Sequence, residues 1–215
     1  MKKRRNLLTI ENAKTTKGES LGYLTGILYM APADESGIMN MCPNASKGCR
    51  ESCLYTAGRG RFDSVRNARI AKTFFFVNER KEFYRNLVLD IEALIRKAKR
   101  EKLKPCVRLN GTSDVVWEKL YVDEKLNTIF DLFPDVQFYD YTKIPKRFGK
   151  SWELPKNYNL TFSKSEINQV DVKRIALSGH NVAVVFSDGL PAAYMGQRVV
   201  NADEHDLRFL DPKGV

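Results

Sequence analysis

The sequence predicts an α/β fold in which residues 1–215 form one domain, arranged as a partial (β/α)6-like barrel. Strand-like and helix-like segments alternate along the chain, as they do around a mainly parallel sheet. Several strand-like segments run from apolar into polar residues. The 215 residues are few for a closed eight-stranded barrel, which typically takes ~250. An open doubly wound sheet is the alternative, although no G-x-G-x-x-G fingerprint follows a strand.

The first half of the chain predicts strands, a cysteine loop and a long helical region. Residues 21–31 are rich in β-formers and broken by glycine, which indicates one or two strands. A turn-rich loop over residues 40–62 follows. From Asp63, a plausible N-cap, to about Lys102 the pattern is helical, with a 3.6-residue apolar period in its second half. A break is expected near residues 78–81, because the region is long for one globular helix.

The second half predicts further strands that alternate with helices. Residues 105–111 indicate a strand, and helical segments are expected to begin within 113–120 and to cover 124–134. The remaining expectations are strands over 136–143, 158–165 and 181–188, a helix over 167–179, and a short strand with a polar loop within 197–209.

Five of these strands end in polar residues, which predicts a cleft at one end of the sheet. The carboxyl ends of parallel strands meet at one edge, where α/β folds build their sites. We expect catalytic roles for Asp114, Lys164 and His205. Cofactor-binding roles are expected for Arg59, Arg108, Asn110 and Asp188. The plainer alternative is that these residues belong to polar turns, helix caps and surface loops.

Three cysteines in the 40–62 loop predict a metal centre. Cys42, Cys49 and Cys53 have the spacing C-x6-C-x3-C, and the chain has one other cysteine, Cys106. The spacing lacks the C-x2-C pairs of common structural zinc sites, whereas iron–sulfur clusters are held by cysteine thiolates. We therefore expect a [4Fe–4S] cluster on three cysteines with one iron open, and we keep zinc and ordinary reduced cysteines as alternatives.

Cys106 is expected to lie apart from the other three cysteines. It begins the strand 105–111, ~16 Å below the strand's far end at ~3.3 Å per residue. By alternation it shares a face with Arg108 and Asn110, while Val107 and Leu109 face the helices. Cys106 is therefore interpreted as a small buried apolar residue.

Three segments carry a family resemblance. They are CPNASKGCRESCLYTAGRGRF (42–62), VRLNGTSDVVWE (107–118) and VVNADEHDLRFLDPKGV (199–215). In this order they resemble the phage "gene product 88" family, which implies a phage context rather than an enzyme class. A looser similarity is to radical SAM enzymes, which have a partial (β/α)6 barrel and a three-cysteine [4Fe–4S] loop after the first strand. Their spacing is C-x3-C-x2-C, and Ser52 stands where they carry an aromatic residue. These departures argue against S-adenosylmethionine as a further cofactor.

Charge and composition limit which partners and which cellular location we expect. The net charge of +10 is concentrated in residues 2–5, 96–104 and 143–150, which permits nucleic-acid binding or simply reflects solvated helix ends and loops. No apolar run approaches the ~20 residues of a membrane span, and no signal peptide is evident. We therefore expect no membrane partner and a cytoplasmic location, in the host if the gene is a phage's.

The sequence thus predicts an iron–sulfur protein in which the open iron faces a polar cleft. The class of substrate is unknown. Radical SAM-like redox chemistry is one form of this prediction, and whether the chain is an enzyme stays open. The alternatives are a zinc-stabilised nucleic-acid-binding protein and a cluster used only for structure or electron transfer.

Overall fold

A computed structural model describes residues 4–10, 17–53, 60 and 62–215. Its main sheet has six strands in the order β1-β2-β3-β4-β5-β6. The first strand pairs antiparallel with the second, and the others run parallel. The strands are β1 (Leu8–Thr9), β2 (Tyr23–Leu28), β3 (Lys104–Arg108), β4 (Gln137–Thr142), β5 (Tyr158–Ser163) and β6 (Val182–Ala183). The α/β prediction is confirmed: the chain forms a mixed α/β structure with a mostly parallel sheet.

Helices and short turns connect these strands. The helices are α1 (Lys47–Glu51), α2 (Asp63–Asn78), α3 (Arg80–Glu101), α4 (Ile129–Leu132) and α5 (Gln169–Leu177). Single 3₁₀ turns cover Trp117–Lys119, Pro145–Phe148 and Arg208–Leu210, and a hairpin pairs β7 (Ala193–Tyr194) with β8 (Gln197–Arg198). No helix in the described ranges is long and apolar enough to cross a membrane.

The expected break in the long helical region is confirmed, because α2 ends at Asn78 and α3 begins at Arg80. The apolar stripe of α3 includes Leu87, Ile91 and Leu94, which are fully buried in the core. Gly26 in β2 permits this close packing, since a Cβ there would lie 3.1 Å from the side chains of Leu8 and Leu94.

The two faces of the sheet carry different residues, as alternation predicts. Val107 and Leu109 belong to the larger hydrophobic core, together with the residues of α3. Cys106 lies on the opposite face, fully buried beside Tyr139 and Leu207. That opposite face, called the inner face below, is therefore covered partly by the C-terminal segment 205–211.

Several predicted elements are shorter than expected, because side chains capture the local backbone. The helix expected within 113–120 is only a 3₁₀ turn, since Asn110 Oδ1 accepts hydrogen bonds from the Val115 N–H and the Trp117 indole. Asp123 similarly accepts from two backbone N–H groups of the following turn, so helix forms only at Ile129–Leu132. The strand expected over 181–188 is limited to Val182–Ala183.

Candidate functional site

A large cavity of about 1460 Å³ lies at the carboxyl ends of the parallel strands. The sequence-predicted residues that line it are Cys42, Cys49, Cys53, Arg108, Asn110, Asp114, Lys164 and His205. The topology explains this convergence, because β3, β4 and β5 all point their polar ends toward this edge. The cysteine loop lies over the same edge, since it follows β2.

Of the predicted cofactor-binding residues, Asp188 does not line the cavity, and Arg59 lies outside the described residues. The strand β6 ends at Ala183, and Asp188 lies on an exposed segment, where its carboxylate accepts a hydrogen bond from Ser187. The placement of Asp188 at a strand end was therefore wrong.

Cys42 connects the cysteine loop to the end of β3. Its thiol donates to the Thr112 carbonyl over 3.6 Å, and the Asp114 N–H donates to the Met41 carbonyl over 2.8 Å. Burial is the main cause that raises the pKa of Cys42 to about 12. A backbone hydrogen bond at Ala33 opposes this rise, and the charges of Asp114, Cys53 and Cys49 add to it. The three thiols are thus close enough to interact electrostatically.

Glu166 fixes the helix that carries Cys49, and sequence reasoning missed it. Ser46 is the N-cap of α1 and accepts from the Cys49 N–H. The Ser46 hydroxyl donates to one oxygen of Glu166 over 2.7 Å, and the Gly48 N–H donates to the other over 2.8 Å. These bonds lower the pKa of Glu166, the Ser46 bond most. The sequence S-x-x-C at residues 46–49 could have indicated the helix cap. It could not have indicated Glu166, which lies in the β5–α5 loop, 120 residues from Ser46.

The thiols are not arranged as a single-ion site. Among the residues that the structure describes, no three Cys, His, Asp or Glu side chains form a group that could hold a metal ion. A tetrahedral zinc ion with Zn–S bonds of about 2.3 Å would bring its sulfurs to ~3.8 Å from one another. A polynuclear cluster takes each thiolate on a different iron, so its ligands stand farther apart.

Arg69 of α2 provides a buried positive charge near the cysteine loop. It stacks over the Tyr29 ring at 5.2 Å and is 9% exposed. Its Nε and Nη1 are buried and have no hydrogen-bond partner in the described chain. Burial lowers the pKa of Arg69, and the charges of Tyr29 and Cys53 oppose that change. Unpaired donors beside Cys53 fit an anionic group bound at the cysteines.

Arg108 is committed to an ion pair with the C-terminal segment. Its Nη1 donates to Asp206 over 2.8 Å, and its guanidinium lies 4.7 Å from the centre of the Tyr141 ring. Burial alone would lower the pKa of Arg108, but the charges of Asp206, Tyr141, Tyr139 and Asp140 together outweigh burial and raise it. Because this charge is already neutralised, Arg108 is a weaker anion receptor than its position suggested.

Asn110 shapes the loop instead of presenting a free amide. Its side-chain oxygen accepts from Ser113, Val115 and Trp117, and its amide nitrogen donates to the Val115 carbonyl. Every strong hydrogen-bonding atom of this side chain has a partner within the loop.

Asp114 lies between the cavity and a buried ion network. One carboxylate oxygen accepts from the Lys143 N–H over 2.8 Å, and the other lies 3.6 Å from Arg147 Nη1. Arg147 forms a bidentate pair with Glu118, at 2.8 and 2.7 Å. Burial raises the pKa of Asp114, although the Lys143 and Thr142 hydrogen bonds oppose it. A buried carboxyl with a raised pKa is a reasonable proton donor or acceptor at this edge.

The remaining predicted catalytic residues line other walls of the cavity. Lys164 is half-buried just after β5, and its N–H donates to the Ala183 carbonyl. His205 Nδ1 accepts from the Leu207 N–H over 3.2 Å, which leaves its other ring nitrogen to carry a proton. Lys143, which sequence reasoning did not select, follows β4 and donates to Ser163 Oγ over 3.1 Å.

The comparisons with known proteins identify one relationship. The gene product 88 family model matches residues 3–215. None of the curated proteins and none of the solved structures matches the chain, so the looser similarity to radical SAM enzymes has no support. The match covers nearly the whole chain and includes all three segments that carried the resemblance. The chain therefore belongs to the phage gene product 88 family.

Proposed function

We propose that this protein binds an iron–sulfur cluster through Cys42, Cys49 and Cys53, at the mouth of the cavity. The observation that carries the proposal is that all three thiols line the same cavity as the polar strand ends. With three protein ligands on a [4Fe–4S] cluster, one iron is left to take a group from the substrate. When bound, such a cluster supplies one-electron redox chemistry.

The chain's own residues support an anionic group at this position. Arg69 offers buried guanidinium nitrogens, Nε and Nη1, that have no hydrogen-bond partner among the described residues, and its charge interacts with Cys53. Ser46 and Glu166 hold the backbone that precedes Cys49. Cys106 is no candidate for a fourth ligand, because it is fully buried on the inner face and hydrogen-bonds with Thr25. A substrate atom, a small molecule or His205, which lines the same cavity, would complete the coordination.

The partial barrel is part of this proposal. The parallel strands β2 to β6 follow one another in chain order, as in one section of a (β/α) barrel, whereas a doubly wound sheet reverses its order. The C-terminal segment occupies the inner face where the remainder of a closed barrel would lie.

The nucleic-acid alternative is supported less well by the placement of its charges. Residues 96–104 lead into the beginning of β3, whereas residues 143–150 follow the end of β4. These stretches therefore lie at opposite ends of the sheet and do not form one surface. Arg147, within the second stretch, is fully buried and paired with Glu118.

Anaerobic purification followed by iron and sulfide analysis tests the proposal. We expect a brown protein that absorbs broadly near ~400 nm and contains iron and acid-labile sulfide. Serine substitution of Cys42, Cys49 or Cys53 should reduce the iron content, while Cys106→Ser should retain it. A colourless protein with stoichiometric zinc would refute the cluster and favour the zinc alternative.

Two further measurements separate the narrower alternatives. An EPR signal of the reduced cluster that changes when S-adenosylmethionine is added would favour the radical SAM-like form. A signal that no small molecule perturbs would favour a structural or electron-transfer cluster. Salt-dependent binding of DNA or RNA by a protein without iron would favour the nucleic-acid alternative.

A further inference from the structure

We infer that the cavity binds a phosphate monoester, held by Lys143, Lys164, Ser163 and Thr161 at the ends of β4 and β5. This inference names the ligand class of the cavity and rests on the proposed function only for the chemistry that would follow binding. The four residues line the same cavity as the three cysteines.

The strand register brings Lys143, Thr161 and Ser163 together, and Lys164 follows Ser163 directly in the chain. β4 and β5 run parallel, and Tyr141 pairs with Thr161. Lys143 lies two residues beyond Tyr141 and Ser163 two beyond Thr161, so alternation places all of them on the inner face. The Lys143 ammonium donates to Ser163 Oγ over 3.1 Å, which confirms this orientation.

This corner of the cavity holds a buried hydroxyl that has no hydrogen-bond partner among the described residues. Thr161 is 3% exposed, and its hydroxyl has no hydrogen-bond partner in the described chain. Burying a hydroxyl without a hydrogen-bond partner is unfavourable, so the position favours a ligand whose oxygen accepts a hydrogen bond from Thr161. Among the ion pairs of the described residues, none involves Lys143 or Lys164, although the Lys143 charge helps to lower the pKa of Asp114 and of Glu166.

The nearby acidic residues already have other partners. Asp114 accepts from the Lys143 N–H and faces Arg147, and Glu166 accepts from Ser46 and Gly48. Two of the three arginines that line the cavity are also neutralised, Arg108 by Asp206 and Arg208 by Asp211, and the third, Arg198, belongs to the β7–β8 hairpin. Lys143 and Lys164 are therefore the cations at the ends of β4 and β5 that are left for a ligand.

Charge and shape favour a phosphate monoester over a carboxylate. A phosphate monoester carries about −1.5 to −2 at neutral pH, which matches two ammonium groups, whereas a carboxylate carries one charge. Lysines bind phosphate as point charges and do not need the planar fork of arginine. The hydroxyls of Ser163 and Thr161 supply additional donors.

Apolar residues also line the cavity, which predicts an organic body on the ligand. They include Val184, Phe186, Leu190, Tyr194, Val199 and Val200. The rings of Phe186 and Tyr194 meet edge to face at 5.3 Å. The cavity volume of about 1460 Å³ exceeds that of most small-molecule sites, which are ~300–1,000 Å³.

Isothermal titration of the full-length chain at low salt tests the inference with three probes. Adenosine 5′-monophosphate should bind, inorganic phosphate should compete with it, and adenosine should bind at least about tenfold more weakly. Lys143→Gln and Lys164→Gln should each raise the Kd about tenfold, and Lys164→Arg should retain binding. The matched control is Lys146→Gln, which removes an exposed lysine three residues from Lys143 and should leave the Kd unchanged.

Thr161→Val tests the buried hydroxyl without confusing binding with folding. The substitution keeps the side-chain shape and removes an unpartnered hydroxyl, so the melting temperature should not fall while the Kd rises. The inference is overturned if the monophosphate does not bind at millimolar concentration, or if succinate binds as tightly. It is also overturned if Lys146→Gln weakens binding as much as Lys164→Gln.

Iron analysis of the same preparations separates this inference from the proposed function. Phosphate binding by a protein that never takes up iron would retain the anion site and refute the cluster. A protein that holds iron and binds no phosphate probe would retain the cluster and refute the anion site.

Discussion

Glu118→Gln tests the buried ion network of Glu118, Arg147 and Asp114. This network reaches the cavity through Asp114. In the wild type, Glu118 receives hydrogen bonds from Arg147 Nε at 2.8 Å, Arg147 Nη2 at 2.7 Å and the Trp152 indole at 3.0 Å. The side chains of Arg147 and Glu118 are 0% and 1% exposed. Burial alone would lower the pKa of Arg147, but its contacts with Tyr158 and Glu118 raise it, so the guanidinium stays charged. The variant therefore leaves a buried positive charge with little compensation.

The expected loss in free energy of unfolding is large for one substitution. Removing one partner of a buried ion pair typically costs ~3–5 kcal/mol, because the remaining charge stays desolvated. Asp114 lies 3.6 Å from Arg147 and offsets part of that cost, so we expect about 3 kcal/mol. A further Arg147→Met substitution should recover part of the loss, since it removes the stranded charge.

Denaturant titration followed by tryptophan fluorescence measures this change. Trp117 and Trp152 are the two tryptophans of the chain, and both lie beside the network. Glu124→Gln is the matched control, because Glu124 pairs with Lys81 over 3.7 Å at an exposed site where no measurable change is expected. A loss below ~1 kcal/mol for Glu118→Gln, or a double variant less stable than the single one, would refute the reasoning.

Three further changes follow from other contacts. Gly111→Ala should lower the free energy of unfolding by ~1–3 kcal/mol in the same titration, because the new Cβ would lie 2.7 Å from the Leu28 carbonyl oxygen. An unchanged denaturant midpoint would contradict this close packing. Burial raises the pKa of Asp140 from 3.8 to about 7. The free energy of unfolding of the wild type should therefore fall, relative to that of Asp140→Asn, as the pH rises from about 4 to about 7. Parallel curves of unfolding free energy against pH would contradict this. Glu166→Gln should reduce iron retention during gel filtration, because it weakens the contact that holds α1, whereas the exposed Glu153→Gln should not; equal retention would remove Glu166 from this role.

Local patterns in the sequence predicted much of the fold. The alternation in β3 correctly separated Val107 from Cys106, and the length of the helical region correctly indicated a break between α2 and α3. The same reasoning overestimated the helices after β3, because it did not consider that Asn110 and Asp123 would bond to the following backbone. Such side-chain competition depends on a few atoms and leaves no periodic signal.

The convergence of the selected residues on one cavity was predictable, whereas their partners were not. Most of the residues selected from the strand ends and the cysteine loop line the cavity, because parallel strands end at one edge. The sequence could not indicate that Arg108 pairs with Asp206, 98 residues away, or that Glu166 holds α1 from a distance of 120 residues. Those pairings depend on tertiary contacts, so Arg108 was assigned to a ligand and Lys143 was overlooked.

The C-terminal segment on the inner face has a consequence for how the protein is made. Leu207 packs beside Cys106 and Tyr139, and the Val182 N–H at the sheet edge donates to the Val215 carbonyl. Chains emerge from the ribosome with the N-terminal residues first, at ~5–20 residues per second. The nascent sheet therefore exposes Cys106 and Tyr139 of its inner face until residues 205–211 have been made. The burial of these two side chains is thus completed late in synthesis.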